Sequence, residues 1–263
     1  MSVLRIEGLH SLEGSIKIQG SKNGVLPVMA ASLLHNGTTV LEHIPKIQDV
    51  FCMLGILNAL GAECRLEGER LSISAASLSA AEIPETLAGQ MRSSVMLVGP
   101  LLARLGRVET SLPGGCRIGK RPVDLHIRGL TELGAVVRIE DNRIRAEAPP
   151  AGLLGAEIHL PYPSVGATEN ILMAAAGAMG ETVLAGAARE PEIGILCSFL
   201  KAMGVSVEGA GSSVIRVRGT GSFRDSCFSL PGDRIVAGTY LGAVLCAGGH
   251  VLLEQAPAEH MGK

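Results

Sequence analysis

The sequence predicts a mixed α/β fold, of α+β character, in which apolar helices lie buried inside repeated units of about seventy residues. Its 263 residues are 47% hydrophobic but only 2% aromatic, so the core must consist mainly of aliphatic side chains. Glycine occurs 34 times, which indicates many tight turns. Four glycines that join an apolar helix to a strand, Gly37, Gly106, Gly180 and Gly249, are spaced 69, 74 and 69 residues apart.

Each repeated unit begins with a helix of small apolar residues, which leads through the turn glycine into a strand. The helices are predicted at 26–34, 94–102, 171–176 and 235–241, and the strands at 38–41, 107–109, 182–184 and 251–253. A second, amphipathic helix then ends at Gly61, Gly134 and Gly204 in the first three units. Glycine readily adopts the left-handed conformation that terminates a helix, so these positions predict where the second helices end.

The repeat also predicts how the chain is divided into domains. Gly61 follows Gly37 by 24 residues, and the same spacing after Gly249 leads past Lys263. The sequence therefore predicts three complete units and half of a fourth. Residues 22–229 are predicted to form a complete three-unit α/β domain, and residues 1–21 and 230–263 a partial second domain.

Charge and composition argue against several classes of function. A formal net charge of −2, with two tyrosines, four phenylalanines and no tryptophan, provides neither a basic surface nor stacking platforms, so no nucleic-acid partner is expected. The six cysteines and the histidines show no metal-ligand spacing, so no metal site is expected. Scattered cysteines in a chain of this length, with charges near the N-terminus, indicate reduced thiols and a cytoplasmic protein.

One segment, residues 235–253, lacks Asp, Glu, Lys and Arg and is long enough to span a bilayer. Gly248 and Gly249 interrupt it, and the repeat accounts for it as a helix followed by a strand. No membrane span is therefore expected.

The stretch from Leu112 to His126 is the candidate centre of chemistry. It combines three glycines, three cations, one carboxylate and Cys116 within fifteen positions. Neighbouring cations favour the thiolate form of a cysteine, and glycines allow a backbone to approach a ligand closely. The alternative interpretation is a surface loop that contains an incidental cysteine.

Polar residues also stand directly before each of the four apolar helices. They are Lys22 and Asn23, Arg92, the run Ser164–Asn170, and Asp233 with Arg234. A cation at a helix N-terminus opposes the helix dipole unless an anion binds there too, so this recurrence favours a shared anionic ligand over exposed loops. Two features stay open at this point: the run Arg189–Glu192 suits a functional or a solvated turn, and His126 suits a ligand-orienting or a packing role.

Several of these motifs resemble those of the enolpyruvyl transferase family. The resemblance lies in Gly20–Asn23, Met91–Ser94, Leu112–His126, Ser164–Thr168 and Ala188–Ile193, which occur in family order over nearly the whole chain. The branch that acts on UDP-N-acetylglucosamine fits better than the shikimate-pathway branch, whose cysteine-loop region differs. The resemblance implies an inside-out α/β barrel, and transfer of the enolpyruvyl group of phosphoenolpyruvate to the 3′-hydroxyl of UDP-N-acetylglucosamine with release of phosphate. This is the first committed step of peptidoglycan synthesis, and it implies small-molecule substrates and no cofactor.

The resemblance also implies a role for each matching residue. Cys116 would be the catalytic general acid, and Lys22, Asn23 and Arg92 would bind phosphoenolpyruvate. The sugar nucleotide would be bound by Arg92, Arg121, Pro122, Val123, Asp124, Leu125, Ser164, Val165 and Gly166. A thiol that cycles between protonation states works best with a pKa near the working pH, and the neighbouring cations suit that requirement.

Members of the family are longer and carry a second three-unit domain. The sequence therefore predicts a chain that is inactive by itself, with a complementing C-terminal half as a possible partner. The alternatives are a non-catalytic sugar-nucleotide-binding fragment, a shikimate-pathway relative, and an unstable fragment without a function of its own.

Overall fold

A computed structural model of the protein describes residues 3–5, 7–8, 10–112 and 122–262. The helices are α1 (Lys22–Ala31), α2 (Gln48–Ala59), α3 (Glu85–Ala88), α4 (Val98–Leu105), α5 (Asp124–Glu132), α6 (Val165–Ala176), α7 (Pro191–Ala202) and α8 (Arg234–Ala247). The strands are β1 (Leu12–Lys17), β2 (Thr38–Glu42), β3 (Glu63–Glu67), β4 (Arg70–Ser74), β5 (Arg107–Ser111), β6 (Val136–Glu140), β7 (Arg143–Glu147), β8 (Glu157–His159), β9 (Glu181–Ala185), β10 (Ser206–Glu208), β11 (Val214–Arg218), β12 (Ser226–Ser229) and β13 (Gly249–Glu254).

Within these ranges the strands form separate sheets that repeat one pattern. Their orders are β12-β2-β4-β3, β5-β7-β6 and β8-β9-β11-β10, and β1 pairs with β13 in a two-stranded sheet. Each of the three larger sheets contains an antiparallel hairpin, β3-β4, β6-β7 or β10-β11, whose second strand pairs with the strand after the apolar helix. The predicted units of helix, strand and helix are thus confirmed three times, and the structure adds a hairpin to each.

Three of the four apolar helices, α1, α4 and α6, lie in the interior with the sheets outside them, whereas the fourth, α8, is mostly exposed. Residues 24–31 of α1 and 167–176 of α6 are buried without interruption, and α4 is buried over residues 98–102. Helices this apolar on every side are stable only when they are enclosed. Helix α4 packs on α6, α6 packs on α5 and α7, and α1 packs on α7. The predicted mixed α/β fold with buried helices is confirmed.

The cap glycines stand where the repeat predicts them. Gly61, Gly134 and Gly204 have φ angles of +99°, +93° and +98°, and each is the second residue after the end of α2, α5 or α7. The left-handed conformation ends each helix and turns the chain into the next strand.

The start of the first helix differs from the prediction. Lys22 and Asn23 lie inside α1, not before it, because Ser21 is the N-cap and its Oγ accepts a hydrogen bond from the backbone N–H of Gly24 at 3.1 Å. Arg92 likewise begins a 3-10 segment, Arg92–Leu97, that runs into α4. The polar residues therefore belong to the first turns of the helical segments.

The segment that connects β1 to α1 lies beside the segment that connects β12 to α8. The N–H of Ser21 donates to the carbonyl of Pro231, and the N–H of Asp233 donates to that of Gln19, at 2.9 and 2.8 Å. Strand β12 pairs in parallel with β2, so it closes residues 22–229 upon themselves. This arrangement is compatible with the predicted domain division, which stays a prediction.

The uncharged segment 235–253 is divided, as expected, into a helix and a strand. Helix α8 ends at Ala247, and β13 begins at Gly249. In the part of the chain that the structure describes, no helix has both the length and the apolar character needed to cross a membrane.

Candidate functional site

A cavity of about 720 Å³ opens between the first turns of the buried helices. It brings together most of the residues that the sequence singled out: Lys22, Asn23, Arg92, Pro122, Asp124, Leu125, Ser164, Val165 and Gly166. Val123 is buried directly before α5 and does not line the cavity. Cys116 and Arg121 lie outside the described residues. Segments far apart in the sequence thus meet at one place because each repeated unit directs the starts of both its helical segments there.

The ammonium group of Lys22 marks one side of the cavity. Its Nζ lies 2.6 Å from Oδ2 of Asp49, which is in the first turn of α2. Both side chains remain partly exposed, at 47% and 30%. Asp49 therefore holds the lysine at the cavity wall, where an incoming anion competes with the carboxylate for it.

The first turn of α6 contributes backbone donors. Ser164 is its N-cap, and the Ser164 Oγ accepts a hydrogen bond from the N–H of Ala167 at 3.4 Å. Val165 and Gly166 follow at the cavity surface. The N–H groups at the start of a helix lack partners within the helix, so this turn is suited to an anionic or carbonyl oxygen.

A buried acidic wall faces these donors. Glu169 on α6 is 3% exposed, and burial, followed by the charges of Glu192 and Glu190, raises its pKa to about 8. The Glu169 carboxyl is therefore mostly protonated at neutral pH. Because it is then uncharged, it does not repel an anionic ligand.

Glu192 forms a two-pronged ion pair with Arg234. Arg234 donates from Nε to Oε1 at 3.0 Å and from Nη2 to Oε2 at 3.2 Å. Glu192 is on α7 and Arg234 is the first residue of α8, so the pair joins the three-unit part of the chain to the segment that follows it. Such planar, bidentate pairs fix the orientation of both side chains.

His126 on α5 and Asn170 on α6 meet beneath the cavity. His126 lines it but is only 7% exposed, and its Nδ1 lies 3.0 Å from the Asn170 Nδ2. Burial, and after it the charge of Arg92, lowers the pKa of His126 to about 4, although Asp124 acts in the opposite direction. The imidazole is therefore neutral at physiological pH. Of the two roles left open by the sequence, its position fits both: the ring packs in the core and reaches the cavity.

Four residues of the site were given no individual role by the sequence. Asp49 carries no sequence signal beyond its place in the first turn of a helix. Glu169 and Asn170 belong to the polar run Ser164–Asn170, and the available signal was the position of this run directly before an apolar helix. Arg234 occupies a polar position before the fourth apolar helix, although no partner could be assigned to it.

Among the described residues, no group of three or more His, Cys, Asp or Glu side chains is placed to hold a metal ion.

Comparison with known proteins gives a consistent result. A family model described as EPSP synthase (3-phosphoshikimate 1-carboxyvinyltransferase) matches residues 6–262. Proteins named UDP-N-acetylglucosamine 1-carboxyvinyltransferase from Rhodospirillum centenum and Chlorobium chlorochromatii are each 46% identical over 99% of this chain. The chain spans 63% and 62% of their respective lengths.

The fold also matches solved structures. The enolpyruvyl transferase NikO from Streptomyces tendae superposes with a TM-score of 0.83 at 23% identity, over 94% of this chain and 58% of its own. EPSP synthase from Acinetobacter baumannii gives 0.76 at 21% identity, over 95% of this chain and 57% of its own. At these identities the likeness establishes the fold alone, and it agrees with the predicted enolpyruvyl transferase-like barrel.

Proposed function

Since the chain belongs to the EPSP synthase family of enolpyruvyl transferases, we propose that it transfers the enolpyruvyl group of phosphoenolpyruvate to the 3′-hydroxyl of UDP-N-acetylglucosamine. The reaction releases phosphate and commits the sugar nucleotide to peptidoglycan synthesis. The names of the most similar curated relatives support this acceptor over a shikimate derivative. That this chain is inactive by itself remains a prediction.

The observation that carries the proposal is the cavity itself. It gathers Lys22, Asn23 and Arg92, which would hold phosphoenolpyruvate, beside the first turn of α6, which would hold the sugar nucleotide. Both substrates are anions, and their phosphate oxygens are suited to cationic side chains and to backbone N–H groups. Pro122, Asp124 and Leu125 lie on the same cavity and would contact the nucleotide, with Val123 behind them.

The proposed chemistry is an addition followed by an elimination. The sugar hydroxyl gives up its proton to a general base, which the family resemblance assigns to the complementing C-terminal half, and its oxygen adds to C2 of phosphoenolpyruvate while the Cys116 thiol delivers a proton to the C3 methylene carbon. Transfer of a proton from C3 to a base then expels phosphate from C2 and restores the double bond. Arg121 would bind a phosphate of the nucleotide, and Lys22 would balance negative charge during the addition.

A further portion of protein is proposed to complete the site. Helix α8 is apolar along its length, yet most of it is exposed, including Ile235 at 53%, Leu241 at 45% and Leu245 at 86%. An apolar face of this extent normally contacts another protein surface. This supports the proposed complementing C-terminal half.

The cysteines of the described ranges are all unpaired, which supports a cytoplasmic location.

Alkylation of cysteine residues tests the proposed function directly. We expect a thiol reagent to label Cys116 at least ten times faster than Cys227 or Cys246 at neutral pH, because neighbouring cations favour the Cys116 thiolate. Burial raises the pKa of Cys64 to about 12 and that of Cys197 to about 11, so these thiols should react slowest. Peptide mass spectrometry at several reaction times gives the rate for each cysteine.

Protection by substrate separates the possible acceptors. UDP-N-acetylglucosamine should slow labelling of Cys116 and leave the exposed Cys227 and Cys246 unchanged, whereas shikimate 3-phosphate should have no effect. A Cys116→Ser variant controls for assignment of the labelled peptide. Equal labelling rates at Cys116, Cys227 and Cys246, or protection by shikimate 3-phosphate alone, would contradict the proposal.

A further inference from the structure

The amide group of Asn170 is buried and its orientation is fixed from two sides. The backbone N–H of Gly99, near the start of α4, donates to Oδ1 of Asn170 at 2.6 Å. On the other side, Nδ2 of Asn170 lies 3.1 Å from the carbonyl oxygen of Val95. A backbone N–H can only donate and a carbonyl oxygen can only accept, so both neighbours require the same amide orientation.

That orientation determines the protonation state of the neighbouring imidazole. The second N–H of the Asn170 amide points to Nδ1 of His126, at 3.0 Å. Nδ1 must therefore accept a hydrogen bond and cannot carry a proton itself. A neutral imidazole has one proton, which then resides on Nε2.

The surroundings of the ring keep the imidazole neutral and restrict its movement. His126 is 7% exposed, and of the charged groups around it Arg92 opposes a second proton while Asp124 favours one. Together with burial, which dominates, these charges lower the His126 pKa to about 4. A Cβ atom on Gly166 would lie 3.3 Å from Cε1 and 3.5 Å from Nε2 of His126, so the first turn of α6 borders the Nε2 side of the ring.

We propose that Asn170 is a positioning residue that locks His126 in the neutral tautomer protonated at Nε2, so that the ring offers one permanent hydrogen-bond donor at the cavity. The donor suits a phosphate or carbonyl oxygen of a ligand bound against the first turn of α6. Because His126 stays neutral, the donor persists as the pH changes and adds no positive charge. Identification of that ligand as the sugar nucleotide rests on the proposed function, whereas the tautomer does not.

The tautomer can be measured directly in the protein without ligand. In a spectrum that correlates the ring nitrogens of ¹⁵N-labelled histidine with their carbon-bound protons, a protonated and an unprotonated nitrogen are clearly distinguished. His126, assigned by its absence in a His126→Gln variant, should show a protonated Nε2 and an unprotonated Nδ1 from about pH 5 to pH 8. A protonated Nδ1 in this range, alone or together with Nε2, would overturn the proposal.

An Asn170→Asp variant tests whether Asn170 is the cause. One carboxylate oxygen would still accept from Gly99, but the other would face Nδ1 and require a proton there. We expect protonation of Nδ1 and a rise of about tenfold or more in the proton affinity of His126. Asn142→Asp, in an exposed turn, adds the same charge elsewhere and should change neither.

An unchanged His126 tautomer in folded Asn170→Asp protein would overturn the positioning role, and the wild-type spectrum decides the tautomer even if this variant does not fold. Added UDP-N-acetylglucosamine should shift the Nε2 signal more than the Nδ1 signal. An Nε2-protonated ring that does not respond to the sugar nucleotide would count against the proposed function and leave the tautomer assignment intact.

Discussion

Replacing Glu169 with glutamine is expected to stabilise the protein, by on the order of 3 kcal/mol at pH 7. The Glu169 carboxyl has a pKa raised from 4.5 to about 8 because it is buried near Glu190 and Glu192. The folded protein therefore keeps a proton that the unfolded chain releases above its lower pKa. Stability contributed by this group is present at acidic pH and is lost as the pH rises from about 4.5 to 8.

The pH profile makes this expectation specific. Chemical denaturation should show that Glu169→Gln raises the free energy of unfolding by less than about 1 kcal/mol at pH 5, and that this increase grows with pH up to about pH 8. Glu132→Gln removes a carboxylate from an exposed position at the end of α5 and should change the free energy of unfolding by less than about 0.5 kcal/mol. A Glu169→Gln protein that is less stable than wild type at pH 8, or whose gain does not depend on pH, would contradict the assigned environment of Glu169.

Replacing Arg234 with methionine is expected to have the largest destabilising effect, on the order of 3 kcal/mol. The Glu192 side chain is only 5% exposed, and Arg234 satisfies both of its oxygens. Removal of the guanidinium leaves a buried carboxylate close to two other acidic residues. Because protonation relieves part of this cost, the loss measured by chemical denaturation should be greater at pH 8 than at pH 5.

Two further variants separate the buried pair from a general loss of charge. Arg218→Met breaks a pair with Glu181 in which the side chains are 73% and 44% exposed, and it should cost less than about 0.5 kcal/mol. The double variant Glu192→Gln with Arg234→Met should recover most of the lost stability. Equal losses for Arg218→Met and Arg234→Met, or no recovery in the double variant, would show that the ion pair is not the cause.

The repeat allowed much of the architecture to be predicted from the sequence. Buried helices, turn glycines and cap glycines recur with nearly constant spacing, and each is a local property: apolar residues on all sides of a helix, or a left-handed position that suits glycine. The helix starts were less accurate. Ser21 caps α1 earlier than the apolar pattern indicates, because capping depends on one side chain and not on periodicity.

The cavity was only partly predictable. The motifs around Lys22, Arg92 and Ser164 could be grouped because each precedes an apolar helix in an equivalent unit. Asp49 and Asn170 could not be assigned roles, because their roles depend on a distance to a residue elsewhere in the chain. The protonated state of Glu169 likewise depends on burial and on two carboxylates at the start of another helix.

Binding of UDP-N-acetylglucosamine to the ¹⁵N-labelled chain, followed by the backbone amide signals, shows whether the cavity is a sugar-nucleotide site. We expect signal changes to concentrate in Lys22–Gly24, Asp124–His126 and Ser164–Gly166, at the first turns of α1, α5 and α6. Shikimate 3-phosphate at equal concentration should cause smaller changes there. Changes that concentrate on other surfaces, or their absence at millimolar sugar nucleotide, would contradict a sugar-nucleotide site in this cavity.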